Sequence, residues 1–173
     1  MASNWSITEA HCNHQVDFTP PFQERYNSMQ SVFRHNLDDY RLRNTMMGYL
    51  QHSKYHIKLA SIMQSHNQFQ ACLILCDWSL SSMIKALYIQ KYRTVHSPKE
   101  LTMNEILPLV HTDTVPGLDI ALFIGTIQHM SSMGESKQDQ TLKANNIKKL
   151  LQRTEEIMKE LEKRLKHELS ELK

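Results

Sequence analysis

Glycine and proline are both scarce, four and five among 173 residues. That shortage excludes a fold built from many tight turns, an all-β one above all, and argues against a long disordered tract. Charge of one sign is missing too. Twenty basic residues against 18 acidic give a formal net charge of +2, so no general pull toward nucleic acid or an anionic membrane is expected, and a basic site has to be local. Three cysteines, Cys12, Cys72 and Cys76, are too few for a disulfide scaffold and leave a thiol over. A reducing compartment is the simpler setting. The first residues, Met1-Ala2-Ser3-Asn4-Trp5, lack the basic start and apolar run of a secretory signal. The most apolar stretch, Ala71 to Leu87, is interrupted by Asp77, by Ser79, Ser81 and Ser82, and by Lys85. It reads as too short and too polar for a membrane span, and a cytoplasmic protein is expected.

Helical periodicity is what the sequence has in plenty. Residues 1–21 are expected to form an irregular arm ending in Thr19-Pro20-Pro21, because proline fits only the first turn of a helix. A single domain is expected over 22–173. Phe22, Tyr26, Met29, Phe33, Leu37 and Tyr40 recur at spacings of three and four, an apolar helical stripe. A second helical pattern covers Thr45 to Ser65, with Met46, Leu50, Ile57 and Ala60 among its apolar positions. Whether these two stretches form one helix or two stays open. Asn67 is suited to cap the next helix, Phe69 to Tyr92. The apolar face of that helix (Phe69, Leu73, Cys76, Leu80, Met83, Leu87) is wide enough to imply burial on several sides.

Thr102 and Glu105 have the spacing of a capping box and open a short helix that fades by Thr112. Pro116-Gly117 marks a turn before a helix from Leu118 to Met130. The closing helix, about Thr141 to Leu172, carries Ile147, Leu151, Thr154, Met158, Leu161 and Leu165 in alternating four-three spacing. At ~1.5 Å per residue it reaches roughly 45 Å. Glu155–Lys159 and Glu160–Arg164 have the i,i+4 spacing of surface ion pairs. Long amphipathic helices with short links imply antiparallel neighbours. The expected fold is therefore all-α: an antiparallel four-to-five-helix up-and-down bundle with an extra N-terminal helix.

Two long helices, His52–Ser65 and Phe69–Tyr92, joined by a very short link, are followed by a loop, a short leucine-rich helix, a second one, a polar gap and a long closing helix. Over about residues 46–170 this order resembles the HEPN superfamily. Lys85-Ala86-Leu87 matches the end of the family's Ala-x-Glu-Lys-x-x-Lys-Ala-Leu run, with Ser81-Ser82 in place of Glu-Lys. Leu101 to Leu109 resembles its short His-x-Leu-x-x-Leu helix without the histidine. The resemblance implies a protein that dimerises through bundle faces, with a nucleotidyltransferase subunit, a nucleotide or RNA as partner. HEPN ribonucleases use Arg-x(4–6)-His. Here His129 stands in the matching region without that arginine, and the spacing from Arg93 to His96 is different. Metal-independent RNA cleavage needs a proton-transfer group and a cation for the developing phosphorane charge. The resemblance without that pair implies binding rather than cleavage. A rearranged site of His129, Arg93 and His96 is the catalytic alternative.

Other residues are weighed on their own chemistry. His52 and His56 stand one helical turn apart, as do Cys72 and Cys76, and four such ligands on facing helices could hold zinc. Cysteines on an apolar face serve more simply as small core residues, and no metal or cofactor is expected. Lys85, Lys91 and Arg93 are the candidates for contact with a phosphate. Against that, the Lys85 stem can pack while its amine reaches solvent, and cations at the end of a helix favour its dipole. A third reading is a scaffold whose N- and C-terminal helices pair as a coiled coil. Serine triads and glycine-rich phosphate loops have no candidate.

Overall fold

The computed structural model describes residues 21–110, 115–133 and 144–171, with side chains over 37–110, 117–133 and 144–167. The helices are α1 (Pro21–Ser65), α2 (Phe69–Tyr92), α3 (Met103–Ile106), α4 (Val115–Ser132) and α5 (Ala144–Glu171), and no strand occurs among the described residues. The all-α expectation holds. The chain divides into two compact units, Met1–Leu37 and Asp38–Lys173. In the first, the helix begins at Pro21. The arm expected over 1–21 otherwise lies outside the described residues.

The two helical patterns before Ser65 belong to one helix. The linking residues Arg41-Leu42-Arg43-Asn44 include neither proline nor glycine, so nothing interrupts the amide ladder. What ends α1 is Asn67, and its role differs from the cap expected of it. Asn67 sits at φ 59°. Its N–H donates to the Gln64 carbonyl at 3.1 Å, and the Gln68 N–H donates to the Met63 carbonyl at 2.9 Å. This is a Schellman closure, in which a left-handed residue folds the chain back over the last free carbonyls. Asparagine tolerates that conformation better than most residues. Gln68, with no side-chain cap, then opens α2.

In the second unit α2 is the central element and packs against α4 and α5. Its Leu73, Leu80, Met83, Ile84 and Ile89 are fully buried. By length and composition the 24 residues of α2 could cross a membrane, although the shorter Ala71–Leu87 stretch read as too polar. Its apolar residues are taken up largely by the protein interior. Burial on several sides is what such a wide stripe requires.

Where α1, α2 and α5 meet, the residues are small and polar. Ser53, Ser79 and Thr154 are buried. The Ser79 hydroxyl donates to the Ser53 carbonyl at 2.9 Å, and the Ser53 hydroxyl lies 3.3 Å from Met158 Sδ. A side chain of this size lets two backbones approach, and a local hydrogen bond satisfies its oxygen. The four-three row of α5, Ile147, Leu151, Thr154, Met158, Leu161 and Leu165, is buried within the chain. A coiled-coil partner therefore finds that row already occupied.

Two short elements differ from expectation. Thr102 and Glu105 do form the capping box, with the Thr102 N–H donating to Glu105 Oε2 at 2.9 Å. Yet α3 is a single turn, ending before Pro108, which has no N–H to continue the ladder. Pro116-Gly117 is not a turn but the first turn of α4, where proline's missing N–H is unneeded. Of the two ion pairs expected on α5, Arg164–Glu160 is present. Glu162 instead ties α5 to α1 through Lys54 at 2.7 Å.

Candidate interaction surface

Of the residues that the catalytic alternative would use, His129 lies far from Arg93 and His96 within one chain. Gln70 Nε2, at the start of α2, donates to the Met133 carbonyl at 3.3 Å, which places the end of α4, and so His129, beside that end of α2. Arg93 closes the other end, roughly 35 Å away along the helix. Its guanidinium is engaged by Asp39 at 2.6 Å. His96 is exposed in the following connection, its N–H on the Thr94 hydroxyl at 3.2 Å.

The phosphate candidates are occupied as well. Lys85 donates to the Lys99 carbonyl at 3.2 Å and Lys91 to the Pro108 carbonyl at 2.6 Å. Arg164 donates to the Val110 carbonyl at 3.0 Å. Together these cations pin the long connection from α2 to α4 by its backbone oxygens. Their positions read as scaffolding: each satisfies a loop carbonyl that no helix ladder serves.

The four metal candidates do not assemble, and no group of three or more ligating side chains occurs among the described residues. Cys72 and Cys76 are buried free thiols. The hydrogen bond with Cys72, and then burial, push the Cys76 thiol up, which disfavours its thiolate form. His52 and His56 belong to a ring cluster instead. His56 lies 6.2 Å from His52, 5.9 Å from Tyr55 and 5.7 Å, edge-on, from Trp78 of α2. Burial, then the neighbouring His52, lowers the His56 pKa below the usual histidine value. Its Nδ1 is buried and meets no hydrogen-bond partner among the described residues.

This cluster lies on a surface that the sequence patterns pointed toward but did not assign. From Tyr40 onward α1 has two apolar faces. Met46, Leu50 and Ala60 face the core. Tyr40, Met47, Tyr55 and Ile62 are exposed at 63%, 39%, 61% and 50%. Their spacings of seven, eight and seven put them in one row well round the helix from the core face. Trp78, 53% exposed, widens the row at Tyr55 by way of His56. The local charge is equally uneven. Between Tyr40 and Lys99 the only carboxylate is Asp77, against eight lysines and arginines. A regional count of charge reveals this, whereas the whole-chain balance conceals it. Asp77 itself is half-buried under the Ser131 hydroxyl at 2.8 Å, and burial raises its pKa. Arg41, Arg43 and Lys58 have no ion pair among the described residues.

No family model matches the chain, and the searches of curated proteins and of solved structures returned no similar protein.

Proposed function

We propose that this chain is a non-catalytic, HEPN-like helical bundle that works by binding and assembly in the cytoplasm. The observation that carries the reading is the exposed apolar row of α1, continuous with the Tyr55–His56–Trp78 rings. Exposed large apolar side chains aligned on one face, here widened by aromatic rings, are the kind of surface through which soluble proteins interact. The order α1 to α5, with its very short first link and long polar connections, supports the HEPN-like part of the reading. The separation of His129 from Arg93 and His96 along α2 favours contact over RNA cleavage. By the same resemblance, the partners to test are a second copy, a nucleotidyltransferase subunit, a nucleotide and RNA.

The test is direct. Light scattering gives the mass of the purified protein, and titrations with a nucleotide, a structured RNA and a nucleotidyltransferase subunit give binding. A dimer, or saturable binding to one of these, is the expected result. A strict monomer that binds none of them and no protein partner removes the proposal. Cleavage of the RNA by wild type but not by His129→Ala replaces it with the enzymatic reading.

A further inference from the structure

We infer that the outer face of α1, from Tyr40 to Ile62, is a docking surface for an acidic amphipathic helix of a different protein. The inference rests on the reading of this chain as a binding module and gives that module's partner a chemistry.

The shape comes first. Seven positions (40, 44, 47, 51, 55, 58 and 62) follow one another at steps of three and four along a single ridge. All seven are exposed. The row runs over the 23 residues from Tyr40 to Ile62, roughly 33 Å at ~1.5 Å rise per residue. Its apolar members, Tyr40, Met47, Tyr55 and Ile62, alternate with Asn44, Gln51 and Lys58. A straight ridge on which apolar side chains recur every second position offers footholds for the apolar face of a second helix, whose side chains settle between its residues. A partner helix of about 20 residues covers it.

Charge then selects among occupants. Arg41 lies on one side of the row, Arg43 on the other and Lys58 within it. No aspartate or glutamate occurs in the sequence from Tyr40 to Cys76. Lys54 is already neutralised by Glu162. A second copy seated on this face would bring the same three unpaired cations from each chain to one seam, while the nearest α1 carboxylates, Asp38 and Asp39, stand before the start of the row and Asp39 is already held by Arg93. Like charges at a desolvating interface disfavour the pairing. Nucleic acid fits the signs but not the surface. Three cations spread over 18 positions track few phosphates, and Met47 and Ile62 offer aliphatic surface on which bases do not stack as they do on aromatic rings. A helix with apolar residues along one face and glutamate or aspartate beside them answers both features at once. Aromatic side chains such as Tyr55 and Trp78, with a methionine beside them, are the anchors that dominate such contacts.

The test uses the full chain and a displayed library of 21-residue helices. Their core positions vary among leucine, isoleucine, phenylalanine and alanine, and their flanking positions vary between glutamate and lysine. Selection on the wild-type protein is expected to enrich glutamate at the flanking positions. A selected peptide should then lose about tenfold or more in affinity against Met47→Lys or Tyr55→Lys, and its binding should weaken as salt rises. The double variant Arg41→Glu/Arg43→Glu should reverse the enrichment toward lysine. That gain appears only in a folded protein, so misfolding cannot imitate it. Enrichment without charge preference, or no enrichment, overturns the inference. So does a single-stranded RNA 20-mer that binds wild type and is released by R41E/R43E while the helices are ignored. A dimer in light scattering that Tyr55→Lys dissociates assigns the face to self-association and likewise overturns it. A dimer unaffected by that variant leaves the binding-module reading standing even if no helix is selected, so the two readings fail separately.

Discussion

Two residues in the second unit illustrate how a polar group is kept inside. Asp77 is the lone carboxylate of a basic stretch, and burial raises its pKa above the ordinary value while the hydroxyls of Ser131 and Ser81 pull the other way. A raised carboxylate pKa means the folded protein binds the proton at a pH where the unfolded chain has released it. Stability therefore falls as pH rises from the ordinary aspartate value, about 3.9, to the raised one, and the full penalty persists above that. Asp77→Asn keeps an acceptor for Ser131 and removes the charge. Its melting temperature is expected to exceed that of wild type at pH 7, with the gap closing as pH falls below about 4. A lower melting temperature at pH 7 would show that the hydrogen bonds outweigh burial. Ser79 is the steric counterpart. Fully buried and bonded to the Ser53 carbonyl, it leaves no room for a larger side chain. Ser79→Leu should cost about 1–3 kcal/mol by overpacking, read from chemical denaturation.

At the scale of elements, the instructive cases are the ends of helices rather than their interiors. The three- and four-residue spacing of apolar side chains located α2, α4 and α5 within a few residues, because each helix must bury one face whatever its neighbours are. The capping box at Thr102 was legible for a similar reason: both partners lie within one turn. Asn67 has the side chain of an N-cap and is instead the left-handed residue that closes α1. Asparagine suits both roles, and the choice depends on which carbonyls the chain folds back over. Asn67→Gly should therefore be neutral or slightly stabilising, while Asn67→Val, forced into the left-handed region, should destabilise by about 1–2 kcal/mol. Urea unfolding of the pair distinguishes this role from that of a cap, for which glycine would lose the side-chain acceptor. The continuity of α1 was open in the sequence because the apolar stripe that ends at Tyr40 shifts to another face by Met46, although no breaker stands between them.

At the scale of the molecule, the boundary between the compact units falls inside α1, at Leu37–Asp38. Among the described residues, the buried core runs from Met46 to Leu165, within the second unit. A fragment Asp38–Lys173 is expected to fold alone, with a cooperative thermal transition and strong helical circular dichroism. A non-cooperative melt would show that the first unit is required.

The sequence by itself determined that the protein is helical and where most helices run, since helical periodicity and the scarcity of glycine and proline are local properties. It determined too that Lys85, Lys91, Arg93, His96, His129 and the two cysteines merited scrutiny, because their chemistry is intrinsic. Only the tertiary structure decided what those residues do. Lys85 and Lys91 hold loop carbonyls, Arg93 pairs with Asp39, and the cysteines fill the core. None of these partners is near in sequence. The exposed row of α1 was settled the same way. Periodicity marks an apolar face, but only the packing of α2, α4 and α5 decides which of two apolar faces the protein covers itself. The face left open, Tyr40 to Ile62, is the one on which the proposed contact rests.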